Sequence, residues 1–158
     1  MINEDVKGFL SKLPEKGRLL GLDLGKKTIG LALSDVSRQI ATPLETLQRT
    51  KFTNDASKLI ALYDQHSVIG MVLGFPINMN GTQGPRCQAS RDFARNLVAC
   101  LQVPVLLWDE RLSTAAVTNT LLDADLSRNK RAKVVDKMAA GYILQGALDA
   151  LTHLNVSQ

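Results

Sequence analysis

Residues 18–35, RLLGLDLGKKTIGLALSD, decide the architecture. Two apolar stretches, RLLGLDLG and TIGLALSD, are separated by Gly25-Lys26-Lys27, which is the pattern of strand, tight turn and strand. Asp23 stands in the middle of the first stretch. A carboxylate on a buried strand is costly to desolvate without a partner, so either the backbone of the Gly25 turn or a cation must compensate it.

Working outward, residues 40–47 fit a third short strand, with Ser34-Asp35-Val36-Ser37 as its turn and Pro43 placing it at an edge or interrupting it. The period then changes. Ala56, Leu59, Ile60 and Tyr63 recur at helical spacing behind Thr53-Asn54-Asp55, whose side chains can cap free N–H groups. Residues 68–73 form an apolar run closed by Gly74, as a buried strand would, and FPINMNGTQGP is rich in turn formers. Pro85 can open a second helix whose buried stripe is Ala89, Phe93, Leu97 and Leu101. VPVLLWDE reads as another buried strand, with Trp108 in the core. Ser113-Thr114 can cap a helix over residues 115–122, the loop DADLSRNKRAK follows, and residues 134–154 make the last helix.

Three strands followed by alternating helix and strand predict an α/β fold: a mixed five-stranded sheet, its first three strands antiparallel, with helices on both faces. Residues 18–154 read as a single domain and residues 1–17 as an N-terminal lead-in. A chain of 158 residues, 45% hydrophobic and 22% charged, is large enough to bury its own core. Its formal net charge of +4 leans toward polyanionic partners without requiring them. Cys87 and Cys100 fall in one predicted helix, roughly 20 Å apart along its axis, and cannot pair there. With no disulfide framework, no apolar segment of membrane-spanning length and no signal-like N-terminus, the expected setting is the cytoplasm.

Three acids stand out. Besides Asp23, Glu110 closes the VPVLLWDE strand beside Asp109, and carboxyl ends of central strands are where open α/β sheets place ligands. One of these two acids can instead cap the following turn, a role that suits Asp109 better. Asp136 opens the last helix, heading a stripe of Ala140, Ile143, Ala147, Ala150 and Leu154; an acid at a helix N-terminus is also favourable by itself. Taken together, acids from three distant segments are reconciled by a shared cation. Carboxylate oxygens suit Mg²⁺ or Mn²⁺, and no Cys or His set has zinc spacing; His66 and His153 read as surface or capping groups. The matching chemistry is phosphodiester hydrolysis by two divalent ions. Lys26, Lys27, Arg111 and Lys133 flank the acids and are candidate phosphate contacts, while SRNKRAK carries four cations in seven residues, a possible arm for a nucleic-acid backbone.

GLDLGKKTIGLALSD, VLGFPINMNGTQGP, WDERLST and VDKMAAGYILQ, in this order, resemble the YqgF family, also called RuvX, of the RNase H-like superfamily, over about residues 18–151. The resemblance implies an RNase H-like (RuvC-like) fold and a nuclease acting on the 5′ end of precursor 16S ribosomal RNA, in an older description a Holliday junction resolvase. It implies catalytic and metal-binding roles for Asp23, Glu110 and Asp136, and as partners pre-16S rRNA or branched DNA, a ribosomal protein or a ribosome precursor, in a monomer or homodimer. Three positions depart from the pattern: Asn80 where Asp is expected, Lys27 where Arg is frequent, and Lys137 where a small residue is usual. Two rival readings are an actin-like nucleotide-binding protein, which needs two such lobes, and a non-catalytic nucleic-acid-binding domain acting in transcription or ribosome assembly.

Overall fold

The computed structural model describes residues 1–112 and 128–156, with side chains over 1–112 and 137–154; the helix expected over residues 115–122 lies outside them. The opening hairpin consists of β2 (Arg18–Leu24) and β3 (Thr28–Ser34), paired antiparallel with Asp23 opposite Gly30. β4 (Ala41–Gln48) adds to β3 antiparallel, and β5 (Val68–Phe75) and β6 (Val105–Asp109) continue from β2 in parallel. Pro43 is accommodated because β4 is the outermost strand and a register shift lies opposite it.

A sixth strand joins the expected five. β1 (Ile2–Asn3) pairs parallel with β6, and α1 (Val6–Leu10), capped by the Asp5 carboxylate on the Gly8 N–H, follows it, giving the order β1-β6-β5-β2-β3-β4. The lead-in therefore contributes structure. Two residues carry no readable alternation, which is why β1 escapes a periodicity argument.

Alternation along the strands divides the core between two faces. Leu20, Leu22, Leu24, Met71, Leu73, Phe75, Val105 and Leu107 point to the face covered by α2 (Phe52–Gln65) and α3 (Pro85–Cys100). Leu19, Ala32, Val72, Leu106 and Trp108 point to the other, covered by α1 and by α4 (Arg128–Val156). α2 starts earlier than its spacing suggests, so Asp55 lies in its first turn and reaches back to accept from the Thr50 N–H at 3.0 Å. In α3, Ala89 is exposed; the buried stripe runs through Cys87, Ser90, Phe93, Ala94 and Leu97, and Cys100 is exposed.

α4 begins six residues before the expected start, so residues 128–133 are helical and not loop. Its stripe holds Ala140, Ile143 and Ala147 as expected, with Ala150 half-buried against the same cluster, while Leu148 and Leu151 are the fully covered positions and Leu154 is half-buried. α1 causes this turn, because Phe9 joins the same cluster at that end. The helix lies very close to the sheet: a Cβ on Gly21 would stand 2.7 Å from Leu144 Cβ and 3.2 Å from the Ala140 carbonyl oxygen. Among the described residues no helix is long and apolar enough to cross a membrane.

Candidate active site

The carboxyl ends of the parallel strands β2, β5 and β6 meet along one edge of the sheet. Asp23 is two residues beyond Gly21, which faces α4, so strand alternation sends the half-buried Asp23 to the α4 face as well. Its neighbours at that level are glycines. Gly30 is its antiparallel partner, and Gly74 follows Leu73, the residue opposite Leu22. The floor beside the carboxylate thus carries no side chains on either neighbouring strand.

Glu110 fills part of that space. It opens a short 3₁₀ turn (Glu110–Leu112) directly after β6, and its Oε1 lies over Gly74 so closely that a Cβ there would overlap it, as well as approach Ile143 Cδ1 to 2.7 Å. Burial raises the proton affinity of the Glu110 carboxyl, the charge of Arg86 opposes that shift and the Asp109 carboxylate adds to it. Asp109 has the opposite situation. It accepts from the Arg111 N–H at 2.9 Å and from the Arg111 guanidinium at 3.1, 3.0 and 2.7 Å, and these bonds hold its carboxyl below the ordinary range. Of the two strand-end acids, Asp109 is the cap and Glu110 the one on the α4 face, the face that Asp23 shares.

Asp136 lies on α4, one helical turn before Ala140, whose carbonyl packs on Gly21; its side chain and that of Lys133 lie outside the described residues. Lys26 and Lys27 are exposed in the β2–β3 turn at this same end of the sheet. That turn is closed by the Gly25 N–H donating to the Thr28 carbonyl at 2.8 Å and braced by Arg49, which donates to the Gly25 carbonyl at 2.6 Å and, from its N–H, to the Lys27 carbonyl at 2.8 Å. Arg111 is at the edge too, engaged with Asp109. His66 caps the C-terminus of α2 and His153 is exposed on α4, both away from the acids in sequence.

Sequence reasoning missed three features: the glycine floor, Arg86 and the function of the loop after β5. In that loop the Asn78 N–H donates to the Thr82 carbonyl at 2.9 Å, the Gly81 N–H to the Asn78 carbonyl at 2.8 Å, and Asn80 Oδ1 accepts from the Thr82 N–H and hydroxyl at 3.1 and 2.6 Å. Asn80 thus supplies the acceptor that an Asp would, so this departure keeps the turn. The usable signal was the placement of Gly21, Gly30 and Gly74 inside apolar strands, where glycine marks close approach of another group.

Two half-buried carboxylates on one face, over a floor without side chains, fit a hard divalent cation with oxygen ligands. Among the described residues no three Asp, Glu, His or Cys groups converge.

Comparison with known proteins identifies the family. A family model described as "RuvX: Holliday junction resolvase" matches residues 17–150. A relative from Cereibacter sphaeroides is 58% identical over 154 residues, covering 98% of this chain and 96% of its own. Another, from Paramagnetospirillum magneticum, is 64% identical over 141 residues, covering 89% and 91%. Both carry the name of a candidate pre-16S rRNA nuclease. The solved structure of T. thermophilus RuvC in complex with Holliday junction substrate matches over 88% of this chain and 96% of that one, with a TM-score of 0.50 at 11% identity, a likeness of fold. With a family model spanning most of its length and relatives this similar, the chain belongs to the RuvX family.

Proposed function

We propose that this protein is a metal-dependent nuclease that hydrolyses a phosphodiester bond near the 5′ end of precursor 16S rRNA, in the cytoplasm, with Asp23, Glu110 and Asp136 as its catalytic acids. The observation that carries this reading is the turning of Glu110 onto the face of Asp23 over Gly74, while its neighbour Asp109 is neutralised by Arg111. A purely structural strand-end acid gains nothing from a half-buried place that offers it no ion-pair partner among the described residues. The names of the relatives support the RNA substrate.

Asp23 and Glu110, joined by Asp136, would hold Mg²⁺ or Mn²⁺, two ions in the full site. Bound there, the ions would lower the pKa of a water and balance charge on the leaving oxygen. The chain's own groups supply the rest. Partial burial limits the access of water to the Glu110 carboxyl, the packing of α4 on Gly21 fixes the distance between helix and sheet, and Lys26 and Lys27 attract the polyanion from the exposed turn.

The test is cleavage of a precursor rRNA 5′-leader fragment with Mn²⁺ or Mg²⁺ against EDTA, comparing wild type with Asp23→Asn whose fold is verified by circular dichroism. Metal-dependent cleavage lost in the variant supports the assignment; equal cleavage by both proteins points to a contaminant and returns the chain to a binding-only role. A second reading, hydrolysis of branched DNA, is favoured by the description of the matching family model, so a four-way DNA junction belongs in the same assay.

A further inference from the structure

We infer that the groove along the β6 edge binds an unpaired strand of the nucleic acid, seating one base in an apolar cavity and its backbone against Arg91 and Arg95; the choice of a nucleic acid as occupant rests on the nuclease reading. β1 ends at Asn3, level with Leu106, so beyond it the edge of β6 from Leu107 to Asp109 borders a cavity of about 370 Å³. Phe75, Ile77, Leu106, Leu107, Trp108 and Leu112 make its walls largely apolar, and Glu4, Gln83 and Asp109 are its polar groups. That size and lining suit a planar organic ring, since ligand pockets of roughly 300–1,000 Å³ combine apolar walls with a few polar groups. The cavity backs onto the carboxylate site. Asp109 and Glu110 are consecutive, about 3.8 Å apart at their Cα atoms, and Phe75 follows Gly74, the seat of Glu110.

The acids of the cavity are already balanced. Glu4 accepts from Arg91 at 2.6 Å and Asp109 from Arg111 at 2.7 Å, so neither meets a polyanion as a bare charge. Gln83 also accepts from Arg91, at 2.8 Å, which commits its carbonyl oxygen and leaves its amide N–H groups to donate to a base edge. Leu112 is 64% exposed, an apolar surface against which a base can pack.

A second cavity, about 240 Å³, shares Glu4 and Leu107 with the first and is lined further by Ile2, Arg91 and Arg95. Four residues apart on α3, the two arginines stand on one helix face. Arg95 is 65% exposed and meets Asp92 only at 3.7 Å, so its guanidinium is open to a phosphate. An apolar recess continued by a basic wall matches a single strand, whose bases need a surface to stack on and whose backbone needs positive charge. Bases of a duplex are already stacked and paired, whereas unpaired ones can be splayed into a pocket. Three residues of β6 beyond β1 would give an added polypeptide strand little backbone pairing.

The test is fluorescence-anisotropy titration of a labelled single-stranded leader fragment, intact or with one base at a time removed, in EDTA over a series of salt concentrations. The proteins are wild type, Leu112→Ser, Arg95→Gln and the control Lys58→Gln, an exposed charge on α2 outside both cavities. For wild type, removal of one particular base is expected to weaken binding about tenfold, the effect of losing one stacked base. In Leu112→Ser that penalty shrinks, because the base has lost part of its seat. Arg95→Gln is expected to flatten the dependence of log Kd on log salt by roughly 0.7 relative to wild type, the loss of one phosphate contact, and more than Lys58→Gln does. Equal penalties at every base, or equal slopes for Arg95→Gln and Lys58→Gln, overturn the inference; a groove reserved for an extended polypeptide gives that result. Cleavage of the same fragment with Mn²⁺ separates the two failures: it persists if only the groove is misassigned and is absent from wild type if the nuclease reading itself is wrong.

Discussion

The two ends of the sheet use the same kinds of residue in opposite ways. At the end where β2 begins, every notable polar group is satisfied by the chain itself. Asp35 accepts from the Gln39 N–H at 2.8 Å, the Ile40 N–H at 3.1 Å and the Ser37 hydroxyl at 2.7 Å, and these bonds hold its carboxyl below the ordinary range. Ser34 accepts from the Leu19 N–H at 2.8 Å, at the place where the β2–β5 register shifts. Arg38, only 8% exposed, donates to the Pro14 and Glu15 carbonyls at 3.2 and 2.9 Å. At the carboxyl end, Glu110 is half-buried with its proton affinity raised, and among the described residues no hydrogen bond or ion pair closes on its carboxylate. One end has its polar groups satisfied on folding; the other keeps a carboxylate with no ion-pair partner among the described residues. Buried polarity that is internally satisfied serves the fold, whereas polarity left for an outside partner marks a site.

The sharpest way to break that contrast is Glu110→Gln. It should lower metal-dependent cleavage by about two orders of magnitude or more, the effect of removing one charge-stabilising group, while thermal unfolding shows stability equal to or above wild type, because a half-buried carboxylate has been made neutral. A large loss of stability would mean that Glu110 belongs with Asp35 after all.

Gly74→Ala comes next. Its methyl would displace Glu110 Oε1 and crowd Ile143, so activity should fall at least tenfold and stability by about 1–3 kcal/mol, read from cleavage rates and urea unfolding of the same preparation. Intact activity would show that Glu110 does not need its seat over Gly74.

At the other end the ordering of effects reverses. Arg38→Ala should cost about 1–2 kcal/mol in urea unfolding through loss of its two carbonyl bonds, with cleavage per folded molecule unchanged. The smallest effect is expected for Asp35→Asn. Since the folded-state pKa of Asp35 is depressed, its ionised form stabilises the protein above the unfolded-state pKa and that contribution disappears as pH falls through the folded value. Melting temperatures of wild type and variant should therefore differ slightly at neutral pH and converge in acid. A gap that persists in acid would mean that geometry, not ionisation, is what Asp35 contributes.

Much of this was legible along the chain. Period-2 and period-3.6 patterns located the strands from β2 to β6 and helices α2 to α4, because each buries a continuous stripe, and Pro85 marked a helix start to the residue. β1 was not legible, being two residues whose strand character comes from pairing with β6. Asp23 and Glu110 were selected because a charge on a buried strand or at a strand's carboxyl end needs an explanation. The seat of Glu110 over Gly74 was not legible: a glycine in an apolar strand carries no signal of its partner until the fold brings β5 and the turn after β6 together.

What the sequence by itself determined is the α/β class, the faces on which its helices bury their stripes, and the acids worth suspecting, since these follow from local periodicity and the cost of desolvating charge. Only the tertiary structure decided which of Asp109 and Glu110 lies on the face that Asp23 shares, which cations are already engaged, and why glycine occupies positions 21, 30 and 74. Those outcomes depend on distances between strands and helices far apart in the chain, which no local pattern encodes.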